Sequence, residues 1–192
     1  MKKKILLLMI GVLSSSFIVE GASTTKVSSN NQKNNVGVLD EKISAREFQE
    51  IKDRMELKKL VDTFSNLADT KEVDKQVLLF TEDATVQTIQ NGVPSGSKFT
   101  GQKEIGDAFS QYLELFETVY HINGQHTVEI NGDTATGINY CQVVLISNDN
   151  GKRIKNTSGV RYNDTYKKIN GKWYISDRKS DFMWRTSEEI KQ

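Results

Sequence analysis

Residues 134–147 read TATGINYCQVVLIS, and this stretch decides the fold class. Its even positions hold Thr136, Ile138, Tyr140, Gln142, Val144 and Ile146. Its odd positions hold Ala135, Gly137, Asn139, Cys141, Val143 and Leu145. A strand with one wet face is polar at every second position. Here both faces are mostly apolar, so both are expected to be covered, one by helices and the other by a partner subunit or a second layer.

Working outward, the strand lies between turn signals. Asn131-Gly132-Asp133, Asp149-Asn150-Gly151 and Asn170-Gly171 separate segments at about 119–130, 134–147, 153–169 and 173–184. These residue types tolerate the positive φ that tight hairpins require. Consecutive long hairpins placed after helices predict an α+β domain with segregated layers.

The helices come first. Ser44 and Glu47 match a capping box, and Ile51, Met55, Leu60, Val61, Phe64 and Ala68 form the expected apolar stripe of a helix ending at Asp69. A short helix is expected over about 73–79, with Val77, Leu78 and Phe80 inward. A strand follows at Thr85 to Gln90, stopping at Asn91-Gly92. A third helix is expected over about 103–116, burying Ile105, Phe109, Tyr112, Leu113 and Phe116.

Ahead of the domain, Lys2, Lys3 and Lys4 precede the apolar run Ile5 to Leu13, and small residues follow at Gly21, Ala22 and Ser23. That order is a secretory signal peptide over residues 1–23, cleaved after Gly21 or Ser23. The alternative, a membrane anchor, needs about 20 apolar residues. The protein is therefore expected to be exported, to a periplasm or outside the cell. Residues 24–43 are polar and are expected to be a flexible linker, 44–186 the domain, and 187–192 a tail. The lone Cys141 lies far from the signal, which excludes a lipidated N-terminal cysteine and an intramolecular disulfide. Of 26 Lys and Arg, three leave with the signal, giving 23. Of 25 Asp and Glu, Glu20 leaves, giving 24. A net charge near −1 offers no basic surplus for nucleic acid or anionic membranes.

Several residues in order then resemble a known family. They are Asp69 at the helix end, Phe80-Thr81-Glu82-Asp83-Ala84, His121, and Gly132-Asp133-Thr134-Ala135-Thr136-Gly137. Tyr162-Asn163-Asp164-Thr165-Tyr166, Ile169-Asn170-Gly171-Lys172-Trp173 and Trp184 complete the set. The domain resembles the SnoaL-like branch of the nuclear transport factor 2 superfamily, which includes scytalone dehydratase and the bile-acid 7α-dehydratases. The resemblance implies a cone: a curved antiparallel sheet wrapped around a long N-terminal helix, with two further helices and a central pocket for a small molecule.

In the family's dehydratases an aspartate and a histidine face each other in the pocket, and these match Asp69 and His121. A neutral imidazole oriented by a carboxylate can take a proton beside a carbonyl and return it to a departing hydroxyl. Other expected pocket residues are Phe64, Thr88, Tyr112, Asn139, Cys141, Tyr162, Arg178 and Trp184. The family's pocket tyrosines are replaced by Phe64, Ala68 and Thr88, and strand parity puts Tyr162 and Arg178 forward as substitute donor and anion partner. Asp69 can equally cap a helix, Cys141 can be a small core residue, and His126 falls by parity on the surface or an interface. No zinc-type Cys/His spacing and no phosphate loop is present, so no cofactor or metal is indicated. A homodimer through the sheet is the expected assembly.

Overall fold

The structure, a computed structural model, describes residues 30–191. The proposed signal peptide lies outside the described residues. Helix α1 (Asn30–Asp69) begins inside the stretch expected as linker. Adding a residue to an existing helix costs little, because only nucleation is expensive. Within the folded unit, Lys42–Gln192, α1 buries Asp53, Leu57, Leu60, Val61, Phe64, Ser65 and Ala68. This stripe differs from the expected one. Ile51 and Met55 are 57% and 68% exposed, while Asp53 faces inward because Lys168 Nζ (2.6 Å) and Trp173 Nε1 (2.9 Å) satisfy its carboxylate. A pattern that counts only apolar residues passes over such a buried, paired acid.

α1 ends in a Schellman turn. Lys71 adopts φ 56°, its N–H donates to Ala68 O, and the N–H of Glu72 donates to Leu67 O. This makes Asp69 the last helical residue, at the point where the chain turns away. A short α2 (Val73–Gln76) runs into a single 3-10 turn (Val77–Leu79), which leaves Leu78 exposed rather than inward. Then come β1 (Phe80–Gln90), β2 (Val93–Thr100) and α3 (Gly101–Leu113). β2 was not expected. Its Pro, Gly and Ser hide the strand pattern, and an edge strand tolerates them.

The meander follows as β3 (Thr118–Asn131), β4 (Thr134–Asp149), β5 (Lys152–Ile169) and β6 (Lys172–Ile190). β6 thus takes in most of the residues expected as a tail, through pairing of Arg185–Ile190 with β5. The hairpin turns carry positive φ where the sequence predicts it: Asn150 and Gly151 at 51° and 85°, Asn170 and Gly171 at 51° and 78°. The six-stranded order is β2-β1-β6-β5-β4-β3, antiparallel except where β1 meets β6.

The sheet's inner face packs on α1 and α3. One core cluster joins Leu57, Val61 and Phe64 to Phe80, Ile105, Tyr166, Trp173 and Ile175. A second joins Ala68 and Leu113 to Val119, Cys141, Val143, Val160 and Tyr162. The odd face of β4 is buried here. Its even face is open, with Tyr140 45% exposed.

Three bulges in the meander decide which side chains point inward. The one opposite Thr165 and Tyr166, where the β6 partner moves from Asp177 to Ile175, brings Arg178 to the inner face. Between Asn123 and His126 one extra residue enters β3, so His126 pairs with Asn139 on the inner face. A regular strand would have turned it outward. Between Gly159 and Val160 the partner residue moves from Trp184 to Phe182, adding a residue to β6. Trp184 thereby passes to the outer face, half-exposed, with its ring lying over Gly159.

Candidate active site

A polar row on α1 meets β3 along its length. Arg54 Nη1 donates to Val128 O (2.8 Å). Asn123 Nδ2 donates to Val61 O, Asp62 Oδ1 and Ser65 Oγ. At the helix end, Asp69 meets His121. Its Oδ1 lies 2.6 Å from His121 Nδ1, and its Oδ2 accepts the His121 backbone N–H at 3.2 Å. The two side chains are 23% and 7% exposed. A carboxylate can only accept, so Nδ1 carries the ring proton and the Nε2 lone pair is left basic. No described residue hydrogen-bonds Nε2. Asp69 is therefore not acting as a helix cap. It holds the strand and the ring together.

The centre of the inner face is occupied by a second ion pair. Arg178 Nε and Nη2 donate to the two oxygens of Asp164 at 2.8 and 2.6 Å. The guanidinium lies between Phe64 and Tyr162, 4.1 and 4.4 Å from their ring centroids. Burial works against its charge, and the Asp164 carboxylate more than offsets this, so the Arg178 pKa is raised. Tyr166 donates to Asp164 Oδ2 (3.0 Å), and His126 Nε2 lies 3.3 Å from the Tyr166 hydroxyl. Because the Tyr166 proton goes to Asp164, His126 must donate through Nε2. It is held in the opposite tautomer to His121.

Tyr162 is buried, and burial pushes its phenol pKa up. Asn139 Nδ2 donates to Asn123 Oδ1 (2.9 Å). Its own Oδ1, like Arg178 Nη1, is buried without a partner. Thr88 faces Ser180 across the β1–β6 junction. Cys141 is a core residue whose thiol burial pushes up to about 12, which excludes a ready nucleophile.

Two expected pocket residues lie elsewhere. Tyr112 is on the exposed side of α3, edge-on to Phe116, and Trp184 is on the outer face. Three residues that bear on the site were missed: Asn123, Asp164 and His126. The Tyr162-Asn163-Asp164-Thr165-Tyr166 run contained Asp164, whose alternation with Tyr162 and Tyr166 is a signal for the inner face. Among the described residues no group of three or more His, Cys, Asp or Glu is placed to hold a metal. No described helix is long and apolar enough to cross a membrane.

Comparison with solved structures finds the same fold. A provisionally assigned scytalone dehydratase from Novosphingobium aromaticivorans is 15% identical, with a TM-score of 0.63 over 74% of this chain and 91% of that one. A type 2 hexachlorocyclohexane dehydrochlorinase is 14% identical, with a TM-score of 0.62 over 76% and 93%. A nuclear transport factor 2-like protein with a cystatin-like fold, also from N. aromaticivorans, is 22% identical, with a TM-score of 0.58 over 72% and 86%. The model for the SnoaL-like domain matches residues 49–179, from the middle of α1 into β6, and the chain belongs to that family.

Proposed function

We propose that this protein is an exported, cofactor-independent lyase or isomerase acting on a small, apolar, carbonyl-bearing molecule. The observation that carries this reading is the 2.6 Å contact between Asp69 and His121 Nδ1, which leaves Nε2 as a neutral, oriented base. In an elimination, Nε2 takes a proton from the carbon beside the carbonyl. The electron pair closes the new double bond and expels the hydroxyl, which leaves as water with the proton returned by the imidazolium. Asp69 stabilises that imidazolium. Two of the similar folds carry the names of eliminating enzymes, which supports the reaction class.

The test is turnover of small hydroxyketones, read as absorbance of the enone. His121→Ala and Asp69→Asn should each cut kcat/KM by roughly 100-fold or more. Full activity in both variants overturns the mechanism. A second reading, an extracellular interaction domain whose sheet face is the working surface, is favoured by one observation: Phe64, Arg178 and Tyr162 fill the centre of the inner face.

Export rests on the Lys2–Lys4, Ile5–Leu13 and Gly21–Ser23 sequence. Assembly as a homodimer rests on the apolar end of the outer face, where Tyr120, Ile122 and Trp184 stand half-exposed. A monomer by light scattering at micromolar concentration would rule the dimer out.

A further inference from the structure

A cleft of about 980 Å³ crosses the outer face of the sheet, away from Asp69 and His121. Its floor is two complete cross-strand rows. One is Thr127, Ile138, Asn163 and Lys179, the other Glu129, Thr136, Thr165 and Asp177. At the β3 end it reaches Arg54, Lys58 and His126. With strands about 4.8 Å apart, β3 and β6 stand roughly 14 Å from each other. The floor is therefore long enough for a few pyranose rings laid across the strands.

The charges indicate what fits. Arg54 is paired with Glu50, Lys58 with Asp62, and Asp164 with Arg178. Asp177 accepts from the Thr85 hydroxyl. What remains without an ion-pair partner among the described residues is two acids, Glu129 and Asp177, and one base, Lys179, a balance of one negative charge. No cationic surplus selects a phosphate or nucleic acid, and only Val128 and Ile138 are apolar, too little for a lipid. The lining is instead rich in hydroxyl and amide groups that both donate and accept. Tyr140 lies on the same face, one step along β4 from Ile138, and offers a ring on which a sugar can stack.

We infer that this cleft is a binding site for a neutral oligosaccharide, held by the threonine and asparagine floor, with Tyr140 as stacking platform and the Glu129 carboxylate as acceptor. It is separate from the elimination site and does not depend on it. The apolar end of the outer face, at Tyr120, Ile122 and Trp184, is left to a second copy of the chain.

The experiment is a titration of the mature protein with maltotriose, cellotriose and the trimer of N-acetylglucosamine, followed by backbone amide NMR. At least one trisaccharide should shift resonances of β3–β6 around Thr127, Thr136, Asn163 and Thr165 at millimolar concentration. Thr136→Val with Asn163→Ala, changes on the outer face that leave the core intact, should weaken that binding roughly ten-fold. Tyr140→Ala should weaken it as well, and His121→Ala should not. The inference fails if no trisaccharide moves these resonances. It also fails if the shifts centre on Asp69 and His121, or if they follow protein concentration rather than sugar, in which case a second copy fills the cleft.

Discussion

Two acid–base pairs face α1 from the same sheet, and they differ in depth. Asp69 and His121 meet at the helix end, where the Asp69 side chain keeps 23% of its surface open. Asp164 and Arg178 are 0% and 1% exposed, enclosed by Phe64, Tyr162 and Tyr166. A pair with surface left open can be reached by another molecule. A fully buried pair cannot lose either partner without leaving an uncompensated charge. The first is the pair to which the proposed elimination assigns chemistry, and the second holds the inner face in register and fixes one guanidinium.

Removing one partner from each pair gives the largest contrast. Arg178→Met should lower stability by about 3–5 kcal/mol, measured by urea denaturation, because Asp164 stays behind unpaired. His121→Asn should cost no more than about 1.5 kcal/mol, the net worth of a hydrogen bond. Equal losses would dissolve the distinction. A smaller effect sharpens the description of the central network. A Cβ at Gly137 would stand 2.9 Å from Tyr166 Cε2 and from Val128 Cγ1. Gly137→Ala should therefore cost about 1–3 kcal/mol and loosen the Tyr166–Asp164 contact. An unchanged melting temperature would show that the ring has room.

The smallest expected effect is a pH slope. Burial, followed by the field of Lys58, lowers the His126 pKa against the opposing pull of Asp164. The folded state then holds the neutral ring more strongly than the unfolded chain does. Its stabilising effect is complete above the unfolded value of about 6.5 and is lost as pH falls from there through the folded value. His126→Gln should flatten the stability curve between neutral pH and about pH 5. An identical slope in the variant would remove His126 as its source.

Much of the fold was legible because its signals are local. The Asn-Gly turns set the hairpins, and their positive φ values follow the residues that tolerate them. The Asp69–His121 pairing was legible through family resemblance, and the Schellman turn at Lys71 gives it a physical basis. Trp184 and His126 were placed on the wrong faces for one reason. A single inserted residue reverses every side chain beyond it, and nothing in the run Asn123-Gly124-Gln125-His126 fixes where the partner strand will slip. Ile51 and Met55 were misplaced because a helix stripe was drawn through apolar residues alone, while the buried positions included Asp53.

By itself, then, the sequence determined the α+β class, the hairpin boundaries, the helix end at Asp69 and the absence of any disulfide within one chain. Each depends on residues close together in the chain. Only the tertiary structure decided that His126 faces inward in the opposite tautomer to His121, that Arg178 is sealed against Asp164 between two rings, and that the outer face carries a polar cleft beside an apolar patch. Those outcomes depend on strand register and on desolvation by residues distant in sequence. Neither quantity exists until the sheet has closed over the helix.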